Sequence, residues 1–303
     1  MPTKPKILII LGPTAVGKSD LAVELALEFN GEIVSADSRQ VYTGLNIGTG
    51  KITTEEMRGI PHHMLDVVDP SQRFSVIDYV KQAERAITDI LSRNKLPIIC
   101  GGTGFYIQAL IDGTLFPDIG PNPELQKELA GKSVIELASI LKKLDPAKLS
   151  SMNESDSKNP RRLIRAIEIA TALGSVPPHT PDKHVSLYEP LFIGLNVEAE
   201  LLKERIRARL LKRIDVGMVE EIKNLHATGL SWERMDELGL EYRYIARFLQ
   251  NQMNKGDIIR VLHTQIWHYA KRQMTWFKKD TRIKWFTPDQ KQDITNAVKT
   301  FLT

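Results

Sequence analysis

Cysteine is almost missing. Cys100 is the single one among 303 residues, so an internal disulfide and a thiolate metal cage are both out of reach, and a reducing, cytosolic compartment is expected. Long apolar runs are missing as well. Ile7–Leu11 and Pro97–Cys100 are strand-sized, far short of the ~20 residues of a membrane helix, so no membrane association is expected. Met1–Lys6 lead straight into the first of these runs with neither a secretory h-region nor an Arg/Ser-rich transit peptide, which also points to the cytosol. Internal repeats and low-complexity tracts are lacking. A large net charge is lacking too: 41 Lys and Arg against 37 Asp and Glu leave +4. What remains is an ordinary globular composition, 42% hydrophobic and 26% charged, which excludes disorder as the main state. The length fits about two domains.

The charge is unevenly spread. Residues 200–286 carry more than the whole positive excess, and the remainder is slightly acidic. Such a basic third fits a polyanionic partner, and it fits equally a set of solvated helix faces. In the first half, short apolar runs alternate with amphipathic stretches, the pattern of a doubly wound α/β sheet. Strands are expected at Lys6–Leu11, Glu32–Asp37, Pro61–Val68 and Pro97–Cys100, with helices at Asp20–Phe29 and Ser75–Arg93. Residues 121–175 are polar and helical (Glu124–Leu129, Ser133–Leu144, Arg161–Thr171), and Leu191–Leu195 reads as one more strand. The helical stretch is therefore expected as an insertion, residues 114–187, into a core formed by 1–113 and 188–303. Pro177, Pro178 and Pro181 mark the expected hinge. From Glu198 the chain reads as nearly all helix, ending near Trp285 and Phe286.

Gly12-Pro13-Thr14-Ala15-Val16-Gly17-Lys18-Ser19 fits the phosphate-loop pattern G-x-x-x-x-G-K-[ST], after a strand and before a helix. Glycines let backbone N–H groups turn toward phosphate oxygens, and the helix N-terminus adds its positive dipole end. Lys18 supplies a point charge and Ser19 a hydroxyl for Mg²⁺. The motif implies phosphate binding with Mg²⁺ as cofactor; it specifies neither ATP nor hydrolysis.

Asp37 stands at the end of the second strand, where ligands of open α/β sheets bind. It could hold Mg²⁺ through water, accept a proton from a nucleophile, or simply cap the turn Asp37-Ser38-Arg39. Gly101-Gly102-Thr103-Gly104 ends another strand, as a close-approach site or a tight turn. Arg205 and Arg209 share one face of the expected helix Glu198–Leu211, either toward a ligand or paired with Glu200 or Glu204. Tyr269, Arg272 and Trp276 form a stripe at helical spacing, core or stacking surface, with Lys271 beside it. His62 and His63 lack a third ligand, so a structural role is expected; Cys100 reads as a small buried hydrophobe.

Gly12–Ser19, Asp37-Ser38-Arg39-Gln40-Val41-Tyr42, Gly48-Thr49, Pro61-His62-His63 and Gly101-Gly102-Thr103 occur here in order. So do Asp145-Pro146, Arg162-x-x-Arg165-Ala166 and Tyr269-Ala270-Lys271-Arg272-Gln273-x-Thr275-Trp276. Together, over residues 6 to about 286, they resemble the bacterial tRNA dimethylallyltransferases. The resemblance implies a P-loop NTPase-like parallel sheet core with an inserted small helical domain and a helical C-terminal region. It implies transfer of a five-carbon group from dimethylallyl diphosphate to N6 of adenosine 37 in tRNA. In that reading Gly12–Ser19 bind the diphosphate, with Thr14 and Arg209 stabilising its growing charge, and Asp37 accepts the N6 proton. Asp37, Ser38, Arg39, Gln40, Thr103, Arg161, Arg162, Leu163, Ile164, Arg165, Lys271, Arg272 and Gln273 are expected to contact the tRNA anticodon stem-loop, and the chain to act as a monomer. Gly50 and Gln126 depart from the family pattern, and Gly239–Arg243 match it loosely.

Other readings of the same residues are a small-molecule or nucleoside kinase, a prenyltransferase of free adenine nucleotides, and a non-enzymatic RNA-binding module. The kinase lacks an apolar strand ending in a second Mg²⁺-binding Asp, and the last leaves the phosphate loop and Asp37 unexplained.

Overall fold

The computed structural model describes residues 4–113, 117, 119–177 and 187–303. Two compact units divide the chain, Met1–Gly113 with His184–Thr303, and Thr114–Lys183. Thr114 and the hinge residues Pro178 and Pro181 lie outside the described residues.

The larger unit is built on a six-stranded sheet. Its strands are β1 (Lys6–Leu11), β2 (Gly31–Ala36), β3 (His62–His63), β4 (Leu96–Gly101), β5 (Glu189–Leu195) and β6 (Lys284–Phe286), ordered β3-β2-β4-β1-β5-β6. Every pairing is parallel. Parallel strands need crossovers and are covered on both faces, which explains their nearly unbroken apolar sequences. Side-chain alternation sorts β1 between two cores. Leu8 and Ile10 pack with the Lys18–Glu28 helix and the C-terminal helices, whereas Ile7, Ile9 and Leu11 pack with the Val76–Ser92 and Gly104–Asp112 helices. The register sets Leu11 opposite Gly101 and Gly194, and Ala36 opposite Gly101. The phosphate loop, Asp37 and Gly102-Thr103 thus all begin at one edge of the sheet.

Three expectations are corrected. The third strand is only His62–His63, because Met64 (φ 65°) and Asp66 (φ 54°) leave the extended region; a single bridge, Tyr42 to Val68, continues the pairing. Lys284–Phe286 is a strand, not a helix end. Beyond it, Lys291–Leu302 forms a further helix, held on the Lys18–Glu28 helix by Lys291–Glu24 and Lys299–Glu28 ion pairs.

The smaller unit has its own core of Leu129, Leu137, Leu141, Leu163, Ala166, Ile167 and Ala170. Its longest helix, Pro160–Leu173, starts where the Asn159 side chain accepts from the Arg161 and Arg162 amides. Proline at the first position needs no donor there. Glu168 is buried within the unit and accepts from the Asn122 amide at 2.8 Å, the Gln126 side chain at 2.9 Å and Arg165 at 3.3 Å.

Candidate active site

The phosphate loop begins with a close approach. A Cβ on Gly12 would lie 2.5 Å from the Leu195 carbonyl oxygen, and the φ of +147° also favours glycine there. Ala15 (φ 63°) and Gly17 (φ 102°) take left-handed conformations that turn the loop into the Lys18–Glu28 helix. Lys18 folds back and its Nζ donates to the Pro13 carbonyl at 2.7 Å. Burial and the neighbouring Arg209 pull its ammonium down to about 8.

A cavity of about 260 Å³ opens beside the loop, lined by Ala15, Gly17, Lys18, Ser19, Arg205 and Arg209, with Asp20, Gly50, Ile52 and Glu56. Arg205 donates to the Val16 carbonyl of the phosphate loop and Arg209 to the Gly50 carbonyl at 2.9 Å across the cavity, so neither is spent on Glu200 or Glu204. Burial and Arg213 lower the pKa of Arg209. Three cations and a helix N-terminus around one small cavity suit a di-anionic or more highly charged ligand.

Within Gly12–Ser19, Ala15, Gly17, Lys18 and Ser19 line that cavity, and the other residues shape the loop. Val16 is fully buried in the core, the Pro13 carbonyl is taken by Lys18, and Gly12 underlies the loop. Thr14 lines a different cavity, and its amide donates to Gln273 Oε1 at 2.9 Å.

That second cavity, about 340 Å³, is lined by Thr14, Asp37, Ser38, Arg39, Gly48, Thr49, Tyr269, Arg272 and residues 238–244, among others. Asp37 Oδ1 accepts from the Arg39 amide at 2.8 Å and the Gln40 amide at 3.3 Å. The turn cap is therefore real, and it leaves Oδ2 without a hydrogen bond among the described residues. Ser38 donates through its amide to Thr103 Oγ1 at 3.0 Å, tying the loops after β2 and β4 together. Burial, with Asp37 nearby, pushes the Tyr269 phenol well above its ordinary pKa, so it faces the cavity protonated. Residues 239–243, left unassigned by the sequence, form one wall together with Tyr244.

The expected RNA contacts divide by helix phase. Lys271 and Arg272 are exposed, and Arg272 reaches the second cavity. Gln273, on the opposite side of the same turn, is 6% exposed and has both ends of its amide engaged: Oε1 by Thr14, and Nε2 by the Gly102 carbonyl at 2.8 Å. It is a strut and not a surface contact. Trp276 is 40% exposed, packed on Gly104 and edge-on to Phe105. Gln40 is turned inward, its side chain donating to the Gly50 carbonyl at 3.4 Å. In the smaller unit, Leu163 is fully buried and so cannot present a side chain to RNA. Ile164 packs against the same core, Arg162 pairs with Asp156, and Arg165 donates to the Ile119 carbonyl at 2.6 Å. Arg161 remains on the surface.

His63 Nε2 lies 2.8 Å from Glu32, and His62 Nδ1 2.8 Å from the Ile60 carbonyl, both structural contacts. Cys100 is buried under the phosphate loop, where burial pushes its thiol up to about 12. Among the described residues no helix is long and apolar enough to cross a membrane, and no group of three or more His, Cys, Asp or Glu could hold a metal ion.

The family model for IPP transferase matches residues 40–280. A tRNA dimethylallyltransferase of Trichlorobacter lovleyi is 43% identical, over 91% of this chain and 88% of its own. One from Hahella chejuensis is 41% identical, over 93% and 92%. The crystal structure of the tRNA isopentenylpyrophosphate transferase of Bacillus halodurans superposes with a TM-score of 0.74 at 36% identity, covering 99% of this chain and 97% of that one. A eukaryotic dimethylallyltransferase acting on tRNA gives a TM-score of 0.80 at 28% identity, covering 98% and 77%. These relatives agree with the prenyl-transfer reading and not with the kinase. The chain belongs to the IPP transferase family.

Proposed function

We propose that the chain transfers a dimethylallyl group from dimethylallyl diphosphate to N6 of adenosine 37 in tRNA, releasing diphosphate. The observation that carries this reading is the pair of cavities, one cationic and one holding Asp37, on either side of the phosphate loop, with Thr14 in one wall and Ala15, Gly17, Lys18 and Ser19 in the other. Lys18, Arg205 and Arg209 hold the diphosphate and favour it most as the C1–O bond breaks and its charge grows. C1 becomes cationic, the N6 lone pair forms the N6–C1 bond, and Asp37 Oδ2 takes the N6 proton. Tyr269, a phenol kept protonated, donates to the acceptor base or its sugar. The base must leave the anticodon loop to reach Asp37, and Arg39 and Arg272 at the rim meet its phosphates.

Mg²⁺ fits as cofactor. It usually takes few protein ligands beside substrate phosphates and water, which the Ser19 hydroxyl, with Asp20 and Glu56 nearby, provides. When bound it would neutralise charge on the leaving diphosphate. Arg161, on the surface of the smaller unit, contacts the anticodon stem. The enzyme works as a monomer in the cytosol, where its RNA substrate is.

The test is transfer from labelled dimethylallyl diphosphate to unmodified tRNA and, separately, to AMP. Label is expected on tRNA and should vanish when adenosine 37 is replaced. Label on AMP alone, or on neither, overturns the reading.

A further inference from the structure

The wall between the two cavities is the loop at residues 46–50. Gly48 and Thr49 face the Asp37 side, and Gly50 faces the Lys18 side. Two backbone bonds close the loop on itself, Gly50 N–H to the Ile47 carbonyl at 3.0 Å and Lys51 N–H to the Asn46 carbonyl at 2.9 Å, and side chains from distant helices hold the remaining groups. Three successive amides converge on one carboxylate: Asn46 and Ile47 donate to Glu221 Oε2 at 3.1 and 2.6 Å, and Gly48 to Oε1 at 2.9 Å. The Tyr242 hydroxyl donates to the same Oε1 at 2.9 Å. On the carbonyl side, Arg213 donates to Ile47 at 2.8 Å and to Gly48, and is itself paired with Glu241. Contact is close: a Cβ on Gly48 would lie 2.5 Å from the Tyr242 hydroxyl. Glu221 lines neither cavity.

We infer that Glu221 is a positioning residue for transfer. By gathering the amides of Asn46, Ile47 and Gly48 it fixes the shared wall, and so fixes the offset between the departing diphosphate and the proton-accepting Asp37. The inference rests on the proposed function. Its physical basis is that a carboxylate can accept all four donors, in bonds about twice as strong as neutral ones. A glutamine has a single acceptor oxygen, and its amide nitrogen would confront a backbone N–H. Displacing one reacting partner by about 1 Å can cost ~100-fold in rate while leaving each partner bound.

Glu221→Gln is measured in steady-state transfer beside hydrogen exchange of residues 46–48. The expected result is a kcat at least about tenfold lower, with KM for dimethylallyl diphosphate and for tRNA within about twofold, and faster exchange of those three amides. Tyr242→Phe removes one donor to Oε1 but keeps the carboxylate on all three amides, so exchange of the Asn46, Ile47 and Gly48 amides should stay within about threefold of wild type. Were Glu221→Gln not to fold, Gly48→Ala, which presses Tyr242 from the other side, should show the same split. An unchanged kcat, or a rise in KM alone, overturns the inference. Wild-type enzyme that prenylates no tRNA would instead sink the proposed function, leaving the exchange result to judge the clamp by itself.

Discussion

At the scale of single residues, Asp37 and Lys18 make the sharpest demands. Asp37 does two jobs with two oxygens, so the substitution must separate them. Asp37→Asn keeps a cap for the Arg39 and Gln40 amides but cannot take a proton; kcat should fall by about 100-fold or more with tRNA affinity nearly unchanged. A large loss of tRNA affinity, measured by fluorescence anisotropy, would make Asp37 a recognition residue. Lys18 carries a pKa near 8, below its ordinary value, in the unliganded protein. Its charge is lost as pH rises through 8, so kcat/KM for dimethylallyl diphosphate should decline above that pH. The same shift has a stability consequence. A lysine whose folded pKa is depressed opposes folding at neutral pH, and that penalty is relieved as pH rises from about 8 toward 10. Lys18→Met should therefore remove transfer while raising stability at pH 7 by roughly 1–3 kcal/mol, read as an increase in Tm. A lower Tm would mean that the bond to Pro13 outweighs the cost of burying the charge.

At the scale of elements, two side chains join pieces far apart in sequence. Glu32, on β2, is buried beneath Arg93, Lys95 at 2.8 Å and His63 at 2.8 Å, linking β2, β3 and the segment leading into β4. Arg93, before Lys95 and His63, holds its carboxyl far below the ordinary carboxylate range. That stabilisation is present above about pH 4 and fades as pH falls below it. Glu32→Gln should cost about 3 kcal/mol at pH 7 and flatten the acid loss of stability in thermal melts. Gln273 is the second such joint. Gln273→Ala strands the Thr14 amide and the Gly102 carbonyl, so kcat should drop about tenfold or more with little change in tRNA affinity. A selective loss of tRNA binding would return Gln273 to the RNA surface.

The elements also show what a linear reading can and cannot reach. The places of Gly12–Ser19 and Asp37 at the strand ends were legible because both follow directly on strong strand signals. Lys271, Arg272 and Gln273 form one string, yet helix phase turns the first two outward and the third inward. The same rotation hides Leu163 between arginines. β6 is only Lys284–Phe286, too short for any period, and Lys291–Leu302 buries only Ile294 and Val298. Glu221 had no local signal at all. Its partners Asn46, Ile47 and Gly48 are brought to it by the folding of the whole larger unit.

At the scale of the molecule, the basic excess in residues 200–286 finds its use if the RNA lies across the exposed end of the Lys255–Phe277 helix. Replacing Lys271 and Arg272 together by alanine should weaken tRNA binding and reduce the slope of log affinity against log salt by roughly 1–2. Unchanged affinity and slope would move the docking surface elsewhere. The division into two units was legible from the change from alternating strands to polar helices after Asp112. How β5 returns to the sheet was not, because pairing with β1 depends on register, not on composition.

That return governs the order in which the protein can be made. β1 lies between β4 and β5, so while residues 1–113 are leaving the ribosome one flank of Ile7-Leu8-Ile9-Ile10-Leu11 has no strand beside it. An open apolar edge of this kind invites pairing with other chains. It stays open until the whole intervening unit has been synthesised and Glu189–Leu195 arrives. The strut from Gln273 to Thr14 is added later still, so a nascent chain has its phosphate loop early and a finished active site only when nearly complete.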